Sequence, residues 1–317
     1  MKFTTTSVRP LLAVGAGLAV AGAALLPSLP SHAQAPTRST TASSAPPQGA
    51  YWHTRTLLKR TSPRQLGRGA NRYWVVEQHL LEGWTTPEGK SWYGSRQPGA
   101  YPKSAADRAA WRRDGSPAQW SRTADGQVVK LSTKPTRGHV TPGVGQTPFM
   151  LGGQKLTYDE VQRLPADPDG LKSWLGEAAR VAQEMDVDSS VTESLRDLFH
   201  RLPAPKEVRA AAYQALLTRP NVRSLGTVKD DAGRTGTAVR IDRPQATGDS
   251  AAKEKGVRPK DDHKVWNVLI IDTGTMLLLS ESGTVTIDGK EFPNKTYTNL
   301  LLQVGWTDAA PAVPALP

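Results

Sequence analysis

Residues 202–240 read LPAPKEVRAAAYQALLTRPNVRSLGTVKDDAGRTGTAVR, and the periodicity of the chain changes inside this stretch. Ala204-Pro205 opens a helix on which Val208, Ala211, Ala212, Ala215 and Leu216 occupy the i, i+3, i+4, i+7 and i+8 positions of one face. That face is built of small side chains, so the helix can lie close against a sheet. After Pro220 the period becomes two. Asn221–Lys229 and Thr235–Ile241 read as strands joined through Asp230–Arg234, with Gly233 at the tight position of a hairpin.

Downstream, Val265–Asp272 and Thr275–Ser282 form a second hairpin around Thr273-Gly274. Tyr297–Trp306 is a last strand, with Leu300, Leu302, Val304 and Trp306 predicted on one face. Upstream lie helical segments at Thr157–Arg163, at Leu171–Ala182 behind the capping Asp167-Pro168 pair, and at Ser190–Arg201. Earlier still, Ala50–Leu58, Arg72–Leu81 and Ser91–Arg96 alternate as strands. In the second of these Trp74, Val76 and Leu80 share one side, and Glu77 and His79 the other. Ser104–Asp107 is a capping box for a short helix through Arg113. Strands, then helices, then strands is an α+β order. The simplest product is a strongly curved antiparallel sheet, a half-open barrel, with helices across its concave face. Residues 50–307 form this single domain, with flexible loops at 137–148 and 243–264 and a disordered Ala/Pro tail at 308–317.

The N-terminus sets the compartment. Lys2 and Arg9 precede an uncharged apolar run from Leu11 to Leu26, and small-x-small sites follow at Ser31–Ala35. Residues 1–33 therefore read as a cleaved signal peptide, with an uncleaved membrane anchor as the alternative. Residues 34–49, rich in Pro, Ser, Thr and Ala, read as a disordered linker. The mature protein is expected to be soluble outside the cytoplasm. The net charge of +11 is unevenly placed. Ala50–Val140 holds 16 Lys+Arg against 6 Asp+Glu and six of the nine Trp, whereas the chain from Thr141 holds 21 against 23. A basic, aromatic front half in an exported protein points to anionic envelope polymers or a membrane surface rather than nucleic acid, the alternative being composition alone with the rings filling the sheet's core.

The stretches Trp111–Trp120 (WRRDGSPAQW), Leu151–Leu175 (LGGQKLTYDEVQRLPADPDGLKSWL) and Leu202–Arg240, with GWTD at Gly305–Asp308, resemble an actinobacterial family of exported or membrane-anchored proteins of unknown function. The resemblance covers about half of the mature chain and implies no activity, cofactor or catalytic residue. At the level of element order the chain is also similar to the lipoprotein-carrier fold of LolA and of RseB-type regulators of sigma-factor signalling. That fold implies a half-open barrel lidded by helices over an apolar cavity, and does not transfer function.

The search for chemistry returns no catalytic, cofactor-binding or metal-binding residue. There is no cysteine, so no disulfide, thiolate nucleophile or thiolate-ligated metal exists. His32, His53, His79, His139, His200 and His263 form no close pair. Ser250 and Lys253 fit a Ser-x-x-Lys spacing without the partners such chemistry needs. Asp167 and Asp188 precede helices and read as caps, and Asp230 as a turn residue. Gly152-Gly153 lacks the strand–glycine–helix context of a phosphate loop.

The sequence therefore predicts a non-enzymatic extracytoplasmic binding or sensing module for an apolar ligand or lipid. Its cavity is predicted to be lined by Trp52, Trp74, Val76, Leu80, Leu300, Leu302, Val304 and Trp306. The alternatives are an envelope regulator that binds a membrane protein partner of the anti-sigma-factor type, and a secreted hydrolase of unrecognised type. Nothing in the sequence fixes the oligomeric state.

Overall fold

The structure, a computed structural model, describes residues 47–124, 127–144, 149–243, 263–287, 289–291 and 296–317. The signal-peptide reading, the linker before Pro47, residues 145–148 and the segment 244–262 (with Ser250 and Lys253) lie outside the described residues.

The strands run in chain order as β1 (Tyr51–Thr61), β2 (Val75–Thr85), β3 (Ser91–Arg96), β4 (Tyr101–Pro102), β5 (Gln119–Ala124), β6 (Gln127–Ser132), β7 (His139–Pro142), β8 (Phe149–Leu151) and β9 (Gln154–Leu156). After the helices come β10 (Val222–Lys229), β11 (Thr235–Arg243), β12 (His263–Asp272), β13 (Leu277–Ile287), β14 (Lys290–Glu291) and β15 (Tyr297–Thr307). One antiparallel sheet runs β10-β11-β12-β13-β15-β1-β2-β3-β7, with β14 beside β13 and β4 beside β2. β5–β6 and β8–β9 are separate hairpins. The architecture is mostly antiparallel sheet with helices, in the α+β order expected.

The helices are α1 (Ala105–Arg113), α2 (Tyr158–Gln162), α3 (Pro168–Val181), α4 (Val187–Asp197) and α5 (Lys206–Leu217). Their starts follow from local chemistry. Ser104 with Asp107 and Thr157 with Glu160 close complete capping boxes, and the Asp167 carboxylate accepts the Gly170 amide. At α4 the cap is Asp186, which accepts from the Ser189 amide, whereas Asp188 lies in the first turn and pairs with Arg219. The helix begins three residues before the predicted Ser190, because the earlier aspartate reaches the free amide.

Three apolar clusters organise the packing. In the largest, Leu171, Leu175, Leu195, Leu198 and Leu216 of the helical layer meet Val239, Ile241, Leu269, Ile271 and Leu301 of the sheet. A second joins Tyr73 and Val75 to Ala110, Trp120 and Leu131, so α1 and the β5–β6 hairpin cap the start of β2. The sequence reading missed that hairpin, which places Arg122 against Glu77 in a two-pronged contact at 3.2 Å. Glu77, read as an outward strand residue, is only 5 % exposed. The third cluster, Leu57, Leu80 and Leu300, lies on the other face of the sheet.

Two loop expectations are corrected. Within 137–148, His139–Pro142 is a strand paired with β3, because Ser95 and Tyr93 offer it a free sheet edge. The tail 308–317 carries no helix or strand, yet it is seated on the sheet. Arg55 donates to the Ala315 carbonyl, Arg96 donates to the Pro314 carbonyl at 3.1 Å, and Pro314 is buried. Prolines lower the entropy lost on ordering, and the two guanidinium groups supply the donors that the segment lacks.

Candidate functional site: a cleft between two cores on one sheet face

The residues expected to line one cavity fall in separate places. Trp52 pairs with Trp306 on β15 and with Thr85 on β2, so the odd-numbered residues of β2 share its face. Val76 and Leu80 therefore point to the opposite side, where Leu80 meets Leu57 and Leu300. Trp74 precedes β2, and its amide donates to the Asp107 carboxylate at 2.8 Å. On β15, Arg55 faces Gln303 and Thr56 faces Leu301, which leaves Leu302 as a bulge. One extra residue reverses the alternation. Val304 packs on the helical core and Trp306 lies beside Trp52, whereas Leu300 and Leu302 join the far-side cluster. The single apolar face predicted for the last strand is split in two.

A cleft of about 300 Å³ does open on the Trp52 face, with a different lining. Thr54 and Thr56 of β1, Leu81 and Gly83 of β2, Tyr93 of β3 and Asn299 and Leu301 of β15 form its floor. Leu278, Glu281 and His200 border it. On either side this face is covered, by the helical layer and by the β5–β6 hairpin, which close over separate cores. Between them Leu81 and Tyr93 remain 40 % and 53 % exposed. Gly83 keeps the floor low: a Cβ there would lie 3.2 Å from the Thr54 hydroxyl.

The polar end of the cleft is fixed from behind. Glu281, 5 % exposed, accepts from Asn267 at 2.9 Å, from the Tyr297 hydroxyl at 3.3 Å and from Arg196 at 3.3 Å. Arg196 also pairs with Glu193 at 2.8 Å, and Arg243 bridges Glu193 and Asn267. Burial works against the Arg196 charge, but the Glu281, Asp197 and Glu193 carboxylates outweigh it and hold its pKa above the ordinary value. Burial and the neighbouring Glu281 push the Tyr297 phenol up, so it stays protonated as a donor. His200 offers its carbonyl to the Trp52 indole at 3.0 Å. Its imidazole is pushed down to about 4 by burial and is neutral at physiological pH. Among the described residues, its Nδ1 is buried without a hydrogen-bond partner. The cleft thus presents a neutral imidazole, a paired carboxylate, hydroxyls and an amide beside apolar surface. The cleft's apolar residues Leu81, Tyr93, Leu278 and Leu301 all lie in strands the sequence predicts, but Leu81 falls on the side read as polar and Leu301 on the side opposite the predicted apolar face. The signal that could have found the site is the Thr54, Thr56, Gly83 set of small residues amid aromatic strands.

Away from the cleft, the Asp230–Arg234 pair is structural. Asp230, whose side chain is 0 % exposed, grips Arg234 at 2.6 Å and accepts the Ala232 and Arg234 amides at 2.9 Å. Burial would raise its pKa, but these bonds to Arg234 and the turn amides hold it below the ordinary value. The Arg234 guanidinium spans from the Leu279 carbonyl to the Leu301 carbonyl, 2.8 Å from each. β13 and β15 pair only from Ser280–Gly283 to Leu300–Tyr297, so Arg234 bridges the place where they part. Among the described residues no group of three His, Asp or Glu could hold a metal ion, and no helix is long and apolar enough to cross a membrane.

No protein-family model matches the chain, and no curated protein matches it. Among solved structures, a crystal structure of a beta-barrel-like protein of a domain of unknown function (DUF1849) from Brucella abortus is similar at 10% identity and a TM-score of 0.22. The match covers 82% of this chain and 99% of that one, and a likeness this distant carries no functional argument.

Proposed function

We propose that the chain is a non-enzymatic binding or sensing module that acts outside the cytoplasm, with the cleft on the Trp52 face as its ligand site. In this reading the sheet is a half-open barrel of the lipoprotein-carrier kind, its concave face turned to the helices, in an exported protein of the actinobacterial type that its sequence resembles. The observation that carries it is the cleft itself: one sheet face, two separate cores, and between them exposed Leu81 and Tyr93, with His200 at the border. A lining that mixes apolar and polar groups fits an amphipathic ligand better than the wholly apolar one read from the sequence. At about 300 Å³ the cleft stands at the lower bound of small-molecule sites, ~300–1,000 Å³. It suits a single apolar chain or ring with a polar end.

The test is binding of a fluorescent fatty-acid probe, alongside mass spectrometry of organic extracts from the purified protein. Thr56 lies half-buried on the cleft floor, so Thr56→Trp fills the space without cutting into a core. Saturable probe binding by the wild type, weakened at least tenfold in Thr56→Trp at an unchanged melting temperature, supports the assignment. Equal binding by both proteins, or none by the wild type together with clean extracts, removes it.

A further inference from the structure

The face of the sheet opposite the cleft holds a second surface, and its occupant is already in place. The tail reads DAAPAVPALP from Asp308, with prolines at Pro311, Pro314 and Pro317. A three-residue proline spacing is the period of the polyproline II helix, which stacks such prolines on one side. Pro314 is buried, Pro311 is half-buried and Pro317 is exposed. Beneath Pro314 lies Gly94 of β3, where a Cβ would come within 3.0 Å of the proline ring and 3.1 Å of the Trp84 indole. Trp84 itself is 3 % exposed and stacks on His53 at 4.9 Å between ring centres. The backbone of the segment is read by Arg55 and Arg96, which donate to successive carbonyls, Ala315 and Pro314. Arg55 is held in turn by Glu82 at 3.3 Å, and Glu82 by His53 at 2.9 Å.

These are the parts of a proline-recognition surface. An aromatic ring and a glycine make a slot for one proline, and donors are spaced for the carbonyls of an extended chain that has no partners of its own. We propose that this face is a binding groove for extended proline-rich segments with prolines at three-residue spacing, and that the C-terminal tail is its internal ligand. The partner is a protein segment of that chemistry, which competes with the tail. Asp308 anchors the tail's start by accepting the Ala50 amide at 3.0 Å. A tether this short holds the tail at an effective concentration in the millimolar range, so an external segment must either bind the groove more tightly than the tail does or be present above that concentration. The groove lies on the opposite face of the sheet from the cleft, with Glu82 of β2 common to both.

The experiment uses the full chain with Pro311, Pro314 and Pro317 replaced by Gly, which vacates the groove, and a fluorescent peptide of sequence DAAPAVPALP. Saturable binding to the vacated chain, at least tenfold weaker binding to the wild type, and loss of binding when Gly94→Val is added are expected. A vacated chain that keeps the wild-type melting temperature and does not bind the peptide overturns the proposal, as does binding that Gly94→Val leaves unchanged. A second measurement covers the case in which the triple variant fails to fold. The chain has no cysteine, so Ala315→Cys in the otherwise wild-type protein takes one environment-sensitive dye at an exposed position. Excess DAAPAVPALP peptide should release the labelled tail and change its emission. A peptide of the same composition with its three prolines adjacent should not. Equal responses to both peptides, or none to either, would sink the idea.

Discussion

Arg234→Ala should be among the most destabilising single changes outside the apolar cores. The perturbation removes three things at once: the cation beside a carboxylate that is 0 % exposed, and the donors to the Leu279 and Leu301 carbonyls at 2.8 Å. Removing one partner of a buried ion pair costs ~3–5 kcal/mol. The Arg234 side chain is 35 % exposed, so water screens part of the pair. That lowers the expectation to about 2–3 kcal/mol. At ~2–4 °C per kcal/mol for a domain of this size, the melting temperature should fall by about 4–12 °C. The assay is thermal and urea unfolding of wild type, Arg234→Ala, Asp230→Asn and the double variant. The double variant should lose little more than Arg234→Ala alone, because the stranded carboxylate is gone. The sign of the pH dependence follows from the depressed pKa of Asp230. Its contribution is fully present above the unfolded carboxylate value of about 4 and is lost as pH falls through the lower folded value. The gap between wild type and Arg234→Ala should therefore narrow in acid. A cost under about 1 kcal/mol, or additive single effects within about 0.5 kcal/mol, would refute the view that this guanidinium holds β13 and β15 together.

Leu80 is wholly buried, so Leu80→Ala should cost ~2–5 kcal/mol by chemical denaturation; the half-buried bulge residue Leu302 should cost under about 1.5 kcal/mol when truncated. His200 has its folded pKa lowered to about 4, so the unfolded chain binds its proton first. Stability should fall as pH drops from about 6.5 to about 4, and His200→Gln should flatten that limb. The slope should not vanish, because burial also lowers the pKa of His79. At Gly283 a Cβ would stand 2.2 Å from the Tyr297 ring, so Gly283→Ala should cost ~1–3 kcal/mol and shift the Tyr297 ring signals in NMR.

The helices and the β10–β11 hairpin were legible because each carries its own local signature, whereas the β5–β6 and β8–β9 hairpins carry none. Asp167-Pro168, the Ser104–Asp107 box and the Asp230–Gly233 turn specify structure within a few residues. The face of a strand is another matter, since it depends on pairing. Nothing near Leu302 announces that β15 skips a residue against β1; the bulge exists only in the ladder with Arg55 and Thr56. The same holds for Glu77, which reads as solvent-facing until the β5–β6 hairpin brings Arg122 over it. The cleft was missed for a related reason. It is the space left between two cores whose limits no local pattern encodes. The tail was misread because composition was weighed before spacing, although the three-residue proline period stood in the sequence.

The placement of β15 has a consequence for how the chain reaches this state. It is the last in chain order of the described strands, yet in the sheet it stands between β13 and β1. One set of hairpins, β1 to β3, and another, β10 to β13, can each zip up locally. β15 welds them, pairing Trp306 with Trp52. Contacts of such sequence separation slow folding, because loop-closure entropy is lost before the pairing energy is returned. A nascent chain would hold two open half-sheets with bare edges until β15 arrives. Any truncation ahead of Tyr297 should leave them permanently unjoined and prone to pair with neighbours.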